Sequence, residues 1–138
     1  MELHDTPAHL IRRLHQHATQ LFVQRVQEAG YQLTPVQFAA MHALRDNPGI
    51  EQAYLATLIG CDRATMGGVI GRLEKAGYIS RNVNRRDRRA REVMLTDAGR
   101  AAMAALAPFM AALQDEILKL LEPHERTLFL RLLGASGV

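Results

Sequence analysis

The residues best suited to bind another molecule form one basic stretch, residues 62–91, DRATMGGVIGRLEKAGYISRNVNRRDRRAR. It contains nine Lys/Arg and three Asp/Glu, a local charge of +6, whereas the other residues carry eight basic and eleven acidic side chains, a charge of −3. The net charge of +3 therefore comes from this stretch alone. Positive charge concentrated in this way is typical of a surface that binds nucleic-acid phosphates, although a solvated run of charges would give the same count.

Catalytic and metal-binding patterns do not accompany this basic stretch. Six histidines are present, but His15 and His17 are two positions apart, and about 100° of rotation per helical residue turns them to opposing faces. The sequence contains no H-E-x-x-H, no paired cysteines, no G-x-S-x-G and no phosphate-binding glycine loop. We therefore predict a protein that is not an enzyme and that uses no metal ion or cofactor.

A helix-turn-helix is predicted from signals in the middle of the chain. Residues 34–37 (TPVQ) form a capping box that opens a helix, and residues 47–49 (NPG) end it. A short helix over residues 51–59 is followed by residues 60–62 (GCD), in which the glycine can end one helix and the aspartate can cap the next. A short helix, a turn containing glycine and a second helix are typical of this motif.

The second helix of the motif, residues 63–76, has two different sides. The predicted buried stripe consists of Met66, Val69, Ile70 and Leu73. The opposite side carries Arg63, Ala64, Thr65, Gly67, Gly68, Gly71, Arg72 and Lys75. Each glycine costs about 1 kcal/mol relative to alanine inside a helix. Close approach of the backbone to a DNA groove would justify that cost, and so would a crowded packing contact.

The arginine-rich segment is predicted to be the tip of a β-hairpin. Residues 79–83 (ISRNV) alternate apolar and polar, as a half-buried strand does, and residues 92–95 form a second short strand. The residues between them, 84–91 (NRRDRRAR), are too polar to pack. Together they indicate a wing with a basic tip.

Long amphipathic helices are predicted on both sides of this unit, which makes the fold mainly α with a small β-hairpin. The first opens at Thr6-Pro7 and ends at Gly30, the second covers residues 97–121, and the last starts at Pro123. Their apolar stripes are Leu10, Leu14, Ala18, Leu21, Val26 and Ala29 in the first helix, and Ala102, Leu106, Phe109, Leu113, Ile117 and Leu120 in the second. These stripes exceed what a small core can cover, so we expect them to pack on a second copy of the chain.

A site for an aromatic anion is predicted on the first two helices. Such a ligand requires an aromatic wall and one or two cationic donors. The residues that offer them are His9, Arg12, Arg13, His17, Phe38 and His42. The alternative is that the arginines are solvated and that His42 is a core residue.

The chain resembles the MarR-type winged helix-turn-helix regulators over nearly its whole length. Residues 87–99, DRRAREVMLTDAG, are similar to the D-x-R…L-T-x-x-G signature of that family, and residues 73–81, LEKAGYISR, resemble the end of its recognition helix and its first wing strand. The resemblance implies a homodimer that binds pseudo-palindromic double-stranded DNA. Residues 34–95 would be the winged helix-turn-helix domain, and residues 1–33 and 96–138 the helical dimerisation domain.

The same resemblance implies roles for individual residues. The helix over residues 63–76 would lie in the major groove, Arg89 would enter the minor groove, and Asp87 would brace that arginine. The expected DNA-binding residues are Arg63, Ala64, Thr65, Gly67, Gly68, Arg72, Arg85, Arg86, Asp87, Arg88 and Arg89. Many members of the family release DNA when a small phenolic or aromatic acid binds between the two halves of the fold.

The only cysteine, Cys61, precedes the recognition helix, whereas the redox-sensing branch of the family carries its reactive cysteine near the N-terminus. We therefore expect Cys61 to be a buried structural thiol.

A lone cysteine, no secretory signal and no membrane span predict a cytoplasmic protein. We predict a ligand-responsive DNA-binding transcriptional regulator, a repressor released by a small aromatic or phenolic acid, with an aromatic carboxylate as the expected effector. The alternative is a winged-helix module that binds an acidic protein partner.

Overall fold

The computed structural model describes residues 1–137 and confirms a mainly α fold with a small antiparallel sheet. Within that range a short 3-10 helix, Leu3–Asp5, precedes six α-helices and three strands. In chain order these are α1 (Pro7–Glu28), α2 (Pro35–Asp46), β1 (Ile50–Glu51), α3 (Gln52–Leu58), α4 (Arg63–Lys75), β2 (Ile79–Val83), β3 (Arg91–Leu95), α5 (Asp97–Ile117) and α6 (Pro123–Ala135).

The helix-turn-helix begins and turns where the local sequence dictates. The capping box at α2 is present, with the Gln37 N–H 3.1 Å from Thr34 Oγ1 and the Thr34 N–H 3.0 Å from Gln37 Oε1. Gly60 has a φ of +71°, the left-handed conformation that ends α3, and Asp62 caps α4. The helix-turn-helix predicted from these residues is confirmed.

The sheet has one strand more than the predicted hairpin. Ile50 and Glu51 form β1, which pairs antiparallel with β3, so that the strand order is β1-β3-β2. The prediction had placed residue 51 in the short helix, which in fact starts at Gln52. Two residues are too few to show the alternation that marks a strand, and their pairing depends on β3, some forty residues further along the chain.

One hydrophobic core joins the helix-turn-helix to the long helices. The stripe predicted on α4 is buried in full, with Met66, Val69, Ile70 and Leu73 at most 6% exposed. Phe22 and Val26 of α1 and Leu106 and Leu113 of α5 belong to the same cluster. Because α4 packs directly on this core, its outer face has a fixed direction relative to α1 and α5.

The ends of the long helices leave apolar side chains uncovered in the single chain. Helix α6 buries none of its residues, and Leu10, which belongs to the predicted apolar stripe of α1, is 48% exposed. The prediction that α5 runs to residue 121 was wrong, because the helix ends at Ile117 and Leu120 is 91% exposed. Among residues 1–137 no helix is long and apolar enough to cross a bilayer.

Candidate nucleic-acid interface

Helix α4 starts at a cap that also orients one of its polar side chains. Asp62 Oδ1 accepts the Thr65 N–H at 2.7 Å, and Asp62 Oδ2 accepts the Thr65 hydroxyl at 2.8 Å. These two bonds lower the pKa of Asp62, and the bond from the Thr65 backbone has the larger effect, so the capping carboxylate stays ionised at neutral pH. With the apolar stripe of α4 turned to the core, Arg63, Ala64, Thr65, Gly68 and Arg72 are exposed on the opposite side, and Gly67 is partly buried.

The three glycines of α4 are not required by packing within the chain. A Cβ added at Gly67 would lie 4.0 Å from Gln52 Nε2, one at Gly68 would lie 3.7 Å from Arg72 Nη1, and one at Gly71 would meet nothing within 4 Å. These are ordinary contact distances or open space. Crowded packing within the protomer is therefore not the explanation, and close approach of the backbone to a DNA groove stays a prediction.

The wing is a hairpin of two five-residue strands, and side chains of the turn itself order that turn. Strands β2 and β3 pair from Ile79 with Leu95 to Val83 with Arg91. Beyond them Asn84 Oδ1 accepts the N–H groups of Arg86 at 2.8 Å and Asp87 at 3.2 Å. These bonds give the wing tip, residues 84–90, a defined backbone on which the arginines are displayed.

Asp87 holds Arg89 mainly through the backbone. Asp87 Oδ1 accepts the Arg89 N–H at 3.0 Å and lies 4.0 Å from the guanidinium Nε. The Arg89 side chain is 98% exposed, and Arg85, Arg86 and Arg88 are exposed as well. The carboxylate therefore fixes where the Arg89 side chain leaves the wing and does not bury it.

A groove of about 380 Å³ separates the wing from the helix-turn-helix. Its charged lining consists of Arg63, Arg81, Arg89, Arg91, Glu51 and Asp87. Arg63, at the start of α4, and Arg89, at the wing tip, thus both line one basic groove. Charge, an uncrowded helix face and an exposed arginine tip together suit a polyanion with grooves.

Arg81 was not among the predicted site residues, although it connects three elements at this groove. From the middle of β2 it donates to Glu74 Oε1 of α4 at 2.9 Å and to Gln52 Oε1 of α3 at 3.5 Å. The hydrogen bond from Arg81 is the main cause of a lowered pKa at Glu74. Strand alternation places Arg81 on the same face of β2 as the buried Ile79, and it carries no signal for the partner of the guanidinium.

The predicted ligand residues fall into separate places in the single chain. His9 Nδ1 lies 3.1 Å from Arg12 Nη2 near the start of α1, and the Phe38 and His42 rings lie 6.1 Å apart on α2. Arg12, Arg13 and His17 are exposed on α1. The alternative that His42 is a core residue is wrong, because its side chain is 50% exposed and faces Asp46.

Cys61 differs from its prediction in burial. It packs against the hydrophobic core but is only partly buried, because the turn that contains it lies at the surface. In the part of the chain that the structure describes, no three His, Cys, Asp or Glu side chains are grouped as metal ligands are.

Sequence comparisons match the chain to known transcriptional regulators. The family model of the MarR family matches residues 33–90. The transcriptional regulator HosA of Escherichia coli is 33% identical over 132 residues, which cover 96% of this chain and 95% of HosA.

Two solved structures are similar in both fold and sequence. The transcriptional repressor CouR bound to a 23-mer DNA duplex superposes with a TM-score of 0.89 at 31% identity, covering 97% of this chain and 94% of CouR. BpsR of Bordetella bronchiseptica, whose DNA binding is regulated by 6-hydroxynicotinic acid, superposes with a TM-score of 0.86 at 30% identity, covering 95% of this chain and 98% of BpsR. MarR proteins are regulators and not enzymes. The chain therefore belongs to the MarR family of DNA-binding transcriptional regulators.

Proposed function

We propose that this protein is a ligand-responsive repressor that binds pseudo-palindromic double-stranded DNA as a homodimer. The observation that carries the proposal is the basic groove between the helix-turn-helix and the wing tip, which Arg63 of α4 and Arg89 of the wing both line. A duplex can place its major groove on α4 and its adjacent minor groove under Arg89. CouR, which has the same fold, is bound to a DNA duplex in its solved structure, and this supports a DNA-binding role for the present chain.

Direct readout is assigned to the outer face of α4. Arg63 and Arg72 can contact guanine edges and Thr65 can contact a base or a nearby phosphate, while Ala64, Gly67 and Gly68 let the helix backbone approach. At the wing, Arg89 reads the narrow minor groove, whose negative potential attracts a guanidinium. Arg85, Arg86 and Arg88 bind phosphates, which adds affinity without sequence preference.

Dimerisation is assigned to the uncovered apolar surface. Leu10 and Ile11 of α1 and Leu130 and Leu133 of α6 line one open apolar groove, together with the end of α5. A two-fold axis through this surface would present two copies of α4 to two half-sites, which is why the operator should be palindromic. Under this proposal residues 34–95 bind DNA and residues 1–33 and 96–138 dimerise. Such a regulator acts on DNA in the cytoplasm.

The effector is proposed to be a small aromatic carboxylate. BpsR responds to 6-hydroxynicotinic acid, a molecule of this class. Phe38 can supply an aromatic wall, and His9, Arg12, Arg13, His17 and His42 are the cationic donors from which the site would draw. If the effector releases DNA, operator DNA must weaken effector binding by the same factor. Calorimetry of 6-hydroxynicotinic acid with the protein, with and without DNA, measures that factor, and equal affinities contradict the coupling.

The DNA-binding role is tested by selecting duplexes from a randomised library with the purified protein. The proposal predicts enrichment of a palindrome, a stoichiometry of one dimer per site and an affinity that falls steeply with salt. The rival role, binding of an acidic protein through the same arginines, predicts no enriched sequence. Selection that returns only random duplexes rejects the proposed function.

A further inference from the structure

The wing is joined to the recognition helix by one ion pair. Arg81 Nη2 donates to Glu74 Oε1 at 2.9 Å, and among residues 1–137 no other ion pair links β2 or β3 to α4. The backbone of Arg81 pairs with Val93, which is fully buried, so the strand end of this link is fixed to the core. The Arg81 side chain also donates a hydrogen bond to Gln52 of α3.

This link lies where a small rotation has a large effect. The wing tip extends beyond the last paired residues, Val83 and Arg91, and its arginines are exposed. Arg81 lies two residues before the end of β2, close to the point about which the hairpin would pivot against α4. A change of angle there would alter the distance between Arg89 and Arg63 across the groove.

We propose that Arg81 is a positioning residue that sets the angle between the wing and the recognition helix by its ion pair with Glu74. The inference rests on the proposed DNA-binding function. Arg81 acts through Glu74, which accepts from Nη2, and Gln52, which accepts from Nη1, and not by contact with DNA. Glu74 lies on the last turn of α4, and its single carboxylate defines where the Arg81 guanidinium lies relative to that helix.

The sign of a mutational effect separates positioning from charge. Glu74 is an acid beside a surface that is proposed to bind DNA, so simple electrostatics predicts that Glu74→Gln strengthens binding. Positioning predicts the opposite, because the amide cannot hold the guanidinium as the carboxylate does. The pair is also partly exposed, at 31% for Arg81 and 40% for Glu74, and such pairs contribute little to stability. We therefore expect a loss of affinity without a matching loss of melting temperature.

The matched control is Glu92→Gln. Glu92 belongs to the same hairpin, in β3, and the ion pairs found among residues 1–137 do not include it. Glu92→Gln therefore removes one negative charge from the protein, as Glu74→Gln does, while breaking no link to α4. Binding of this control should be unchanged or slightly tighter.

The experiment measures affinity of full-length protein for the palindromic duplex that the parent selects from a random library, at several salt concentrations and well below the melting temperature. Glu74→Gln and Arg81→Gln should each weaken binding by about 3- to 10-fold, the usual coupling of residues in contact. The slope of log affinity against log salt should stay that of the parent for Arg81→Gln. The exchanged pair Glu74→Arg with Arg81→Glu keeps the net charge and should recover most of the lost affinity.

Several outcomes would overturn the inference while leaving the proposed function intact. The first is that the parent binds its duplex and Glu74→Gln binds the same duplex as tightly or more tightly. The second is that the slope of log affinity against log salt falls by about 0.9 in Arg81→Gln, because a fall of that size indicates the loss of one phosphate contact. Affinity that stays low in the exchanged pair, in a protein that melts like the parent, also rejects it. A parent that selects no duplex instead rejects the proposed function.

Discussion

Gly67, Gly68 and Gly71 lower the stability of α4 and leave its outer face almost flat. Nothing in the protomer would be displaced by a methyl group at these positions. The contrast within the chain is Gly99, where an added Cβ would lie 2.1 Å from the carbonyl oxygen of Tyr78. Packing within the protomer therefore explains Gly99 and does not explain the glycines of α4.

Alanine substitution of the α4 glycines should have opposite effects on stability and on binding. Gly68→Ala or Gly71→Ala should raise the free energy of unfolding by about 1 kcal/mol, because alanine is the better helix former. The added methyl group should hold the helix away from base edges and weaken operator binding by about 10-fold. Chemical denaturation and DNA titration measure the two effects. Variants of α4 that bind DNA like the parent would refute the flat-face explanation.

Individual side-chain roles were predictable where their cause is local. The cap by Asp62 and the capping box of Thr34 and Gln37 depend on residues within one helical turn, so the sequence signals them directly. The Arg81–Glu74 pair joins residues on different elements, and nothing in the spacing of the two side chains indicates that a turn folds them together. Burial of Cys61 was overestimated for the same reason, because exposure of a turn depends on what packs over it.

Helices α1 and α5 are joined by an ion pair that sequence periodicity did not indicate. Arg25 donates through Nε to Glu116 Oε2 at 3.0 Å and through Nη2 to Oε1 at 2.5 Å, which is a two-pronged contact. Glu116 lies in the last turn of α5, where the helix dipole disfavours a negative charge, so the arginine compensates it. The hydrogen bond from Arg25 is the largest cause of the lowered pKa of Glu116.

The lowered pKa of Glu116 predicts how stability depends on pH. Its contribution is present above the ordinary carboxyl value of 4.5 and is lost as pH falls through the lower value of the folded state. Glu116→Gln should therefore melt below the parent at pH 7, and the two melting curves should converge as the pH is lowered past 4.5. Glu2→Gln, at an exposed position outside the ion pairs of the described residues, should track the parent throughout. A difference in melting temperature that persists unchanged at acid pH contradicts this explanation.

Element boundaries were predicted well where a residue type enforces them. Pro7, Pro35 and Pro123 each occupy the start of a helix, as expected from their fixed φ and missing N–H. The end of α5 and the two residues of β1 were missed, because neither has such a residue. Strand β1 exists only because β3 is available to pair with it.

The apolar surface of the protomer is concentrated on the helices that flank the winged helix. Leu128, Leu130, Leu132 and Leu133 of α6 are between 39% and 58% exposed, and no residue of that helix is buried. Contiguous apolar surface of this kind marks an interaction site, and a second copy of the chain is the proposed occupant. The amphipathic stripes predicted a partner for these helices, but their periodicity could not distinguish residues that pack on the protomer from those that pack on the second copy.

Charge introduced on α6 should separate the proposed dimer. Leu130→Glu would bury a carboxylate in an apolar interface, so we expect the variant to be monomeric, or largely unfolded, at micromolar concentration. Light scattering coupled to gel filtration measures the mass, and circular dichroism reports the helix content. The control is Leu58→Glu on α3, which has a similar exposure of 48% but lies outside the flanking helices, and it should remain dimeric. A parent protein that is a folded monomer contradicts the dimer.

The assignment of the wing to DNA is tested most directly by Asp87→Ala, measured as affinity for the selected palindrome against salt. The substitution makes the wing more positive, so a solvated run of charges predicts tighter binding. The Asp87 carboxylate orients Arg89 by accepting the Arg89 N–H. Removal of this carboxylate should therefore weaken DNA binding, as Arg89→Ala does. Arg89→Ala should in addition reduce the salt slope by about 0.9, the effect of one lost phosphate contact. If Asp87→Ala binds the palindrome more tightly than the parent, the braced wing is wrong.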